Sequence, residues 1–176
     1  MGYTFQIQFG QIFCSVYLIE LGPASLFRRK LLTMVIFVSR DLMFQSRIRP
    51  QVQAAGFGLV TVASCAKAID QLQQLVVEST EIAAGKTEEN SQVSIPIRLV
   101  VVDLKLIANQ EELVDLSHSI NLTQKRQAIK ILSLAYGPHV KVDLLESAKD
   151  AGFEMVMTQG QFDRGFGEVL AGIVQK

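Results

Sequence analysis

Short apolar runs alternate with amphipathic stretches from residue 34 to the end of the chain. Five of these runs are rich in aliphatic and β-branched residues and carry almost no charge, which is typical of strands buried on both faces of a parallel sheet. The stretches between them repeat apolar residues every three or four positions, the spacing of a helix with one buried face. The alternation therefore predicts an α/β protein with a doubly wound five-stranded parallel sheet in a three-layer α/β/α arrangement.

The apolar runs and the helix-capping residues place the predicted elements. Asp41 is the predicted N-cap of the first helix and Gly56 its stop, because glycine tolerates the positive φ at which a helix ends. Residues 99–102 form the strongest apolar run, so we expect them to be the most buried strand segment, with Arg98 at its amino end. The predicted strands cover 35–38, 58–62, 97–102, 129–135 and 153–157, and the predicted helices cover 42–55, 64–84, 110–120, 140–151 and 162–174.

The composition excludes several classes of protein. Hydrophobic residues make up 49% of the chain and charged residues 19%, which is too apolar for intrinsic disorder. Seventeen basic residues balance seventeen acidic ones, so no positive excess favours a nucleic-acid binder. Two cysteines and two histidines are too few for a disulfide framework or a cysteine-rich zinc site. We therefore expect a cytoplasmic protein without a metal or other cofactor.

Residues 1–33 differ from the rest and form a predicted N-terminal extension to a domain at 34–176. Apolar residues and glutamines alternate over 5–9, the period of a half-buried strand. Residues 9–30 have the length of a membrane span and end in three basic residues, but a glutamate, a glycine and a proline interrupt the apolar run. Three interpretations stay open: translation starts at Met34, the segment adds a strand or hairpin, or it associates with a membrane.

The carboxyl ends of the predicted strands hold the candidate functional residues, because ligands of open parallel sheets bind outside these ends. Asp103 closes the central apolar run, and it is either a site residue or the cap of the following loop. Ser39, Arg40 and Asp41 follow the first strand. His139 follows the fourth strand, where it is either an acid–base group of the same pocket or a locally bonded residue before the next helix.

The chain from Met34 onward resembles the receiver domains of two-component response regulators. The resemblance rests on the order of elements, on the strand that ends in Asp103, and on the helix–glycine–strand segment at 150–158. It implies a flavodoxin-like sheet with strand order 2-1-3-4-5. It also implies that Asp103 occupies the phosphoacceptor position and that the protein belongs to phosphorelay signal transduction.

The chain departs from the receiver pattern at the positions that serve phosphorylation. Receivers hold Mg²⁺ with two adjacent acidic residues after the first strand, where this chain has Ser39 and Arg40. Ala135 replaces a threonine or serine near the end of the fourth strand, and Gln159 replaces a lysine at the end of the fifth. Phosphoryl transfer to a carboxylate needs neutralising charge, normally from a metal and a lysine. We therefore expect a degenerate receiver in which Asp103 is the phosphoacceptor equivalent.

Arg40 suggests a replacement for the missing metal. Its guanidinium would form two hydrogen bonds with Asp103 and fix the pocket in one state, and the alternative is that Arg40 points to solvent. Ser133 takes the place of Ala135 if the alignment shifts by two residues. The predicted pocket around Asp103 consists of Ser39, Arg40, Asp41, Ala135, His139 and Gln159.

Three functions stay open on this sequence. The favoured one is a pseudo-receiver, a non-enzymatic module that binds a protein partner without phosphorylation. Receivers contact partners through their last two helices, and the resemblance implies a partner site on the segments from Val140 to Ala151 and from Phe162 to Val174. The second function is a slow phosphoacceptor that uses Asp103. The third is binding of a small anion or nucleotide at the strand ends.

Overall fold

The computed structural model describes residues 4–9, 12–17, 33–83 and 96–174, which fall into two compact units, Met1–Lys30 and Leu31–Lys176. In the first unit, strand β1 (Thr4–Phe9) pairs antiparallel with strand β2 (Ile12–Tyr17). The strand predicted at 5–9 lies within β1. The membrane segment considered at 9–30 lies mostly outside the described residues. Within the described residues, no helix has both the length and the apolar character needed to cross a membrane.

In its described residues, the second unit has a sheet of five parallel strands and five helices. The order across the sheet runs from the second strand of this unit through the first, third and fourth to the fifth. This is the predicted order 2-1-3-4-5, and every neighbouring pair is parallel, so the flavodoxin-like fold is confirmed. The strands are β3 (Thr33–Val38), β4 (Phe57–Val62), β5 (Ile97–Asp103), β6 (Leu132–Gly137) and β7 (Met155–Thr158).

Each predicted helix is present, and the first has the predicted capping residues. Asp41 caps it by accepting a hydrogen bond from the backbone N–H of Phe44 at 2.9 Å. Gly56 follows its last turn with a φ of 80°, a conformation that side chains other than hydrogen disfavour. The helices are α1 (Leu42–Ala54), α2 (Cys65–Ala83), α3 (Gln110–Gln127), α4 (Val142–Asp150) and α5 (Gln159–Val174).

Helix α3 is longer than predicted, because a polar residue in its second half is accommodated on the buried side. The prediction ended the helix at Ile120, where the apolar spacing weakens. Thr123 is nevertheless buried, and its hydroxyl donates to the carbonyl of Ser119 at 2.9 Å, which satisfies it within the helix. Ala128 ends the helix in the left-handed region at a φ of 52°. Strand β6 consequently begins at Leu132 rather than at residue 129.

Strand β5 occupies the centre of the sheet between β3 and β6. Its residues 99–102 are fully buried, as predicted from their unbroken apolar run. Arg98 is half-buried near the amino end of the strand, also as predicted.

Side chains along the central strands alternate between two hydrophobic cores. One core packs against α1 and α5, and we call this side of the sheet the α1–α5 face. The other packs against α2, α3 and α4, and we call it the α2–α4 face. Strand residues on the α1–α5 face are Val35, Phe37, Leu99, Val101, Leu134 and Tyr136. Strand residues on the α2–α4 face are Ile36, Val38, Val100, Val102 and Ala135. A residue's position in this alternation decides whether it reaches the site at the strand ends.

Candidate functional site

Asp103 is a buried carboxylate at the carboxyl end of the central strand. Only 3% of its surface is exposed. Its Oδ1 accepts a hydrogen bond from the backbone N–H of Lys105 at 3.0 Å, so Asp103 caps the 3₁₀ turn Leu104–Leu106. Its Oδ2 accepts a hydrogen bond from the hydroxyl of Ser39 at 3.3 Å. Asp103 is therefore both the cap of the following loop and a buried group at the carboxyl edge of the sheet.

Ser39 connects the end of β3 to Asp103 and is itself 1% exposed. Its Oγ accepts a hydrogen bond from the backbone N–H of Asp41 at 3.1 Å while it donates to Asp103. Its carbonyl accepts a hydrogen bond from the side-chain amide of Gln45 at 2.9 Å. These bonds hold the β3–α1 loop against the end of β5.

Arg40 does not form the predicted pair with Asp103. Its Nε donates to the carbonyl of Ala63, beyond the end of β4, at 3.0 Å, and the residue is exposed. Ion pairs within the described part of the chain join Arg47 to Asp163 and Lys130 to Glu154, and Arg40 is in neither. The alternation of β3 explains this outcome. Ser39 is two residues after Phe37, so its side chain lies on the same face of the sheet as Phe37 and reaches Asp103. The side chain of Arg40, one residue later, points in the opposite direction. The predicted hydrogen-bonded pair of Arg40 and Asp103 is therefore wrong.

Ala135 is not beside Asp103 either, because it lies on the α2–α4 face of the sheet. Ser133 shares its phase, and the Ser133 hydroxyl accepts a hydrogen bond from the backbone N–H of Glu154 at 3.0 Å, away from the site. Parallel pairing sets Asp103 opposite Tyr136, and both side chains point to the α1–α5 face. Tyr136 follows the fourth predicted strand but was left out of the predicted pocket, and the alternation from Leu134 was the signal that could have included it.

Tyr136 is 1% exposed and lies among aromatic side chains. Its ring stacks on the rings of Phe162, Phe44 and Phe37 at centroid distances of 4.4, 5.2 and 6.1 Å. Its hydroxyl is buried and has no hydrogen-bond partner within the described residues, although it lies beside Ser39 and Asp103. Burial raises the pKa of Tyr136, and the charge of Asp103 raises this pKa further.

His139 and Gln159 lie at the same edge of the sheet but form no described hydrogen bond to Asp103. His139 is exposed in the turn between β6 and α4. Gln159 is the first residue of α5 and is half-buried. The adjacent start of α5 is stabilised by Thr158 and Gln161, whose side chains each accept a hydrogen bond from the backbone N–H of the other. The described contacts therefore centre the site on Ser39 and Asp103, with Tyr136 beside them.

Solved structures of receiver domains resemble this chain. The receiver domain of a sensor histidine kinase from Pseudomonas aeruginosa, solved with a magnesium ion coordinated in its active site cleft, has a TM-score of 0.55 and 11% identity, and the match covers 82% of this chain and 99% of that chain. A response regulator receiver domain protein from Clostridium thermocellum gives 0.53 and 11%, covering 82% and 95%. A CheY-like receiver domain protein from Methanospirillum hungatei gives 0.51 and 12%, covering 82% and 98%. The fold is that of a receiver domain. No protein-family model and no curated protein sequence matches the chain.

The residues at the receiver positions for magnesium do not fit a divalent cation. The hydroxyl of Ser39 is bonded to Asp103, and Arg40 brings a positive charge that turns toward Ala63. One carboxylate oxygen of Asp41 caps α1. Mg²⁺ in phosphate sites is held by one or two carboxylates with water and phosphate oxygens. Within the described residues, no group of three or more His, Cys, Asp or Glu side chains could hold a metal ion.

Proposed function

We propose that this protein is a degenerate receiver, a signalling module that binds a protein partner without phosphorylation of Asp103. The observation that carries the proposal is the state of Asp103 itself. The carboxylate is 3% exposed, and both of its oxygens already accept hydrogen bonds, from Lys105 and from Ser39. A phosphoryl donor would have to enter a closed site and reach an oxygen that already accepts a hydrogen bond.

The charge requirement of phosphoryl transfer supports the same proposal. The transferring oxygens carry negative charge that a metal ion and a cationic side chain normally neutralise. Here the positions that would supply this charge are Ser39, Arg40 and Gln159, and Arg40 is bonded to the carbonyl of Ala63. The rate at Asp103 is therefore expected to be far below that of a complete receiver.

The partner surface that we propose lies on α4 and α5, the segments from Val140 to Ala151 and from Phe162 to Val174. Large apolar side chains are exposed at its ends: Val140 is 74% exposed, Val142 54% and Val174 60%. Exposed apolar side chains that lie close together are candidates for burial against another protein, and Val140 and Val142 are two residues apart in the chain. The balanced net charge gives no reason to propose a nucleic acid as the partner.

Intact-mass spectrometry tests the absence of phosphorylation. The full chain is incubated with acetyl phosphate and Mg²⁺, with Asp103→Asn as the matched control. We expect the same mass before and after incubation for both proteins. A stable added phosphate on the wild-type chain that Asp103→Asn lacks would contradict the proposal.

A slow phosphoacceptor is the second candidate, because Asp103 is retained at the carboxyl end of β5 and faces the ligand edge of the sheet. Beryllofluoride with Mg²⁺ separates the two functions, since it mimics an aspartyl phosphate only where the metal can bind. A change in the NMR spectrum that requires both Mg²⁺ and Asp103 would favour the slow phosphoacceptor. An anion site built on Arg40 and His139 is the weakest of the three, because Arg40 is bonded to Ala63.

A pull-down that compares the wild type with variants carrying new charges tests the proposed partner surface on α4. Val140→Asp combined with Val142→Asp places two charges at the start of α4. Val114→Asp on α3 is the matched control, since Val114 is 47% exposed on another helix. We expect the same bound proteins with wild type and Val114→Asp, and their loss with the double variant. Equal capture by all three proteins would exclude the start of α4 from the partner site.

A further inference from the structure

Tyr136 and Asp103 are direct partners across the two neighbouring strands β5 and β6. In the parallel register, Asp103 lies opposite Tyr136 as Val101 lies opposite Leu134. The alternation of both strands points the two side chains to the same face of the sheet. A large aromatic side chain therefore stands beside the carboxylate, where the small side chain of Ala135 was expected.

The ring of Tyr136 is held in place by its neighbours. Phe162 of α5 stacks on it at 4.4 Å, and Phe44 of α1 at 5.2 Å. Phe166 extends the cluster by packing against Phe162 at 4.6 Å. Offset or tilted aromatic pairs at these distances are favourable, and a ring held by two helices and a strand cannot leave without opening the core. The ring of Tyr136 therefore has a fixed position at one side of the Asp103 site.

Within the described residues, two side-chain hydroxyls are buried without a hydrogen-bond partner, those of Thr61 and Tyr136, and the one beside Asp103 is that of Tyr136. A buried phenol such as this normally has a partner. Of its two polar neighbours, Ser39 already donates to Asp103 and accepts from the backbone of Asp41. A carboxylate has about four acceptor positions, and two on Asp103 are used. Asp103 is therefore the acceptor with free capacity.

We infer that Tyr136 closes the Asp103 site. Its ring fills the space beside the carboxylate that a metal ion or a phosphoryl donor would need, and its hydroxyl faces Asp103 as a third donor after those of Lys105 and Ser39. The closure rests on the proposed function and gives it a physical basis. Neutral donors, rather than the cations of a complete receiver, hold Asp103 in one state.

Labelling with a water-soluble carbodiimide and an amine measures the closure directly, because this reaction converts an accessible carboxyl into an amide. Trypsin cleaves after Arg98 and Lys105, and the peptide 99–105 has Asp103 as its only acidic side chain. The peptide 165–176 has Glu168 as its only acidic side chain, and fragmentation of the peptide separates the label on Glu168 from the label on the terminal carboxyl of Lys176. Glu168 is exposed, so it reports the intrinsic rate. The full chain is labelled at neutral pH as wild type, Tyr136→Phe and Tyr136→Thr.

We expect Asp103 to be protected relative to Glu168 in wild type and in Tyr136→Phe, which keeps the ring. In Tyr136→Thr, labelling of Asp103 should rise by about tenfold or more, because the reagent no longer waits for a local opening of the core. Fast labelling of Asp103 in wild type would overturn the closure. So would protection in Tyr136→Thr, or equal labelling of Tyr136→Phe and Tyr136→Thr.

Cys65 controls for unfolding, since it is buried on the opposite α2–α4 face. Its alkylation should stay slow in every variant if the fold is intact. Should Tyr136→Thr expose Cys65, Tyr136→Leu is the second variant, because leucine keeps apolar volume in the cluster but lacks the outer half of the ring. Faster labelling of Asp103 in Tyr136→Leu than in wild type would then support the closure, and equal protection of Asp103 in both proteins would overturn it. Failure of the proposed function would be detected separately, as a phosphate added to Asp103 in the intact-mass experiment.

Discussion

The hydroxyl of Ser39 donates a hydrogen bond of 3.3 Å to the Oδ2 of Asp103, and both residues are almost fully buried. The two residues are 64 positions apart in the chain and meet only because β3 and β5 are adjacent parallel strands. The bond joins the β3–α1 loop to the end of the central strand at the carboxyl edge of the sheet. Burial of both groups makes the bond costly to leave unmade.

Ser39→Ala should lower the free energy of unfolding by about 1–3 kcal/mol, because it leaves a buried carboxylate oxygen and the backbone N–H of Asp41 without a partner. Ser39→Ala combined with Asp103→Asn should cost less than the sum of the two single changes. Urea unfolding of the four proteins measures this coupling. Ser46→Ala is the control, since Ser46 is exposed on α1, and its effect should stay within roughly 0.5 kcal/mol. Strict additivity of Ser39→Ala and Asp103→Asn would mean that the bond does not contribute to stability.

Arg40→Ala should change the free energy of unfolding by no more than roughly 0.5 kcal/mol, because the residue is exposed and its hydrogen bond within the described residues goes to the carbonyl of Ala63. Its effect should add to that of Asp103→Asn within about 0.3–0.5 kcal/mol, since the two side chains do not meet. The same urea-unfolding cycle measures both values. A coupling of about 1 kcal/mol or more would restore the Arg40–Asp103 pair that the structure lacks.

The fold was predictable from the sequence because buried parallel strands consist of unbroken apolar runs, such as residues 99–102. Glycines such as Gly56 indicate where the helices end. Asp103 was predictable because it ends the strongest run. The side chains around it were not, since they depend on the phase of each strand, and one residue of difference moves a side chain to the other face. In β6, a shift of one residue exchanges Ala135, which lies on the α2–α4 face, for Tyr136, which lies beside Asp103. In β3, the same shift exchanges Arg40 for Ser39, and Ser39 is the residue that contacts Asp103.

A chain that begins at Leu31 should fold with a free energy of unfolding within roughly 0.5 kcal/mol of the full chain, because the five-stranded sheet and both of its cores lie within residues 33–174. Urea unfolding with circular dichroism measures the difference. A chain that begins at Ile36 is the matched control. It loses Met34, which is buried and donates its backbone N–H to the carbonyl of Pro96 at 2.8 Å, and should be clearly less stable. Loss of a cooperative transition on removal of residues 1–30 would place that segment in the core.

The stability of the protein should fall at alkaline pH, in two stages that belong to Cys65 and Tyr136. Burial, with a smaller effect from the charge of Glu112, raises the pKa of the Cys65 thiol to about 12, and burial beside Asp103 raises the pKa of Tyr136. Both acids stay neutral in the folded protein at a pH where the unfolded chain ionises. Their contributions are therefore complete below the unfolded pKa values, about 8.5 for cysteine and 10 for tyrosine, and are lost as the pH rises toward the folded values.

Tyr136→Phe should isolate the second stage, because phenylalanine keeps the ring and cannot ionise. The free energy of unfolding of the wild type relative to Tyr136→Phe should be constant below about pH 9 and should decrease by about 1.4 kcal/mol per pH unit above pH 10. Cys65→Ala is the matched control, and its difference from wild type should begin to change at least one pH unit earlier, near the pKa of an unfolded thiol at about 8.5. Urea unfolding between pH 7 and 11 measures both curves. A wild-type curve parallel to that of Tyr136→Phe throughout this range would mean that the phenol ionises as readily in the folded protein as in the unfolded chain, and the hydroxyl would then have to be exposed rather than enclosed beside Asp103.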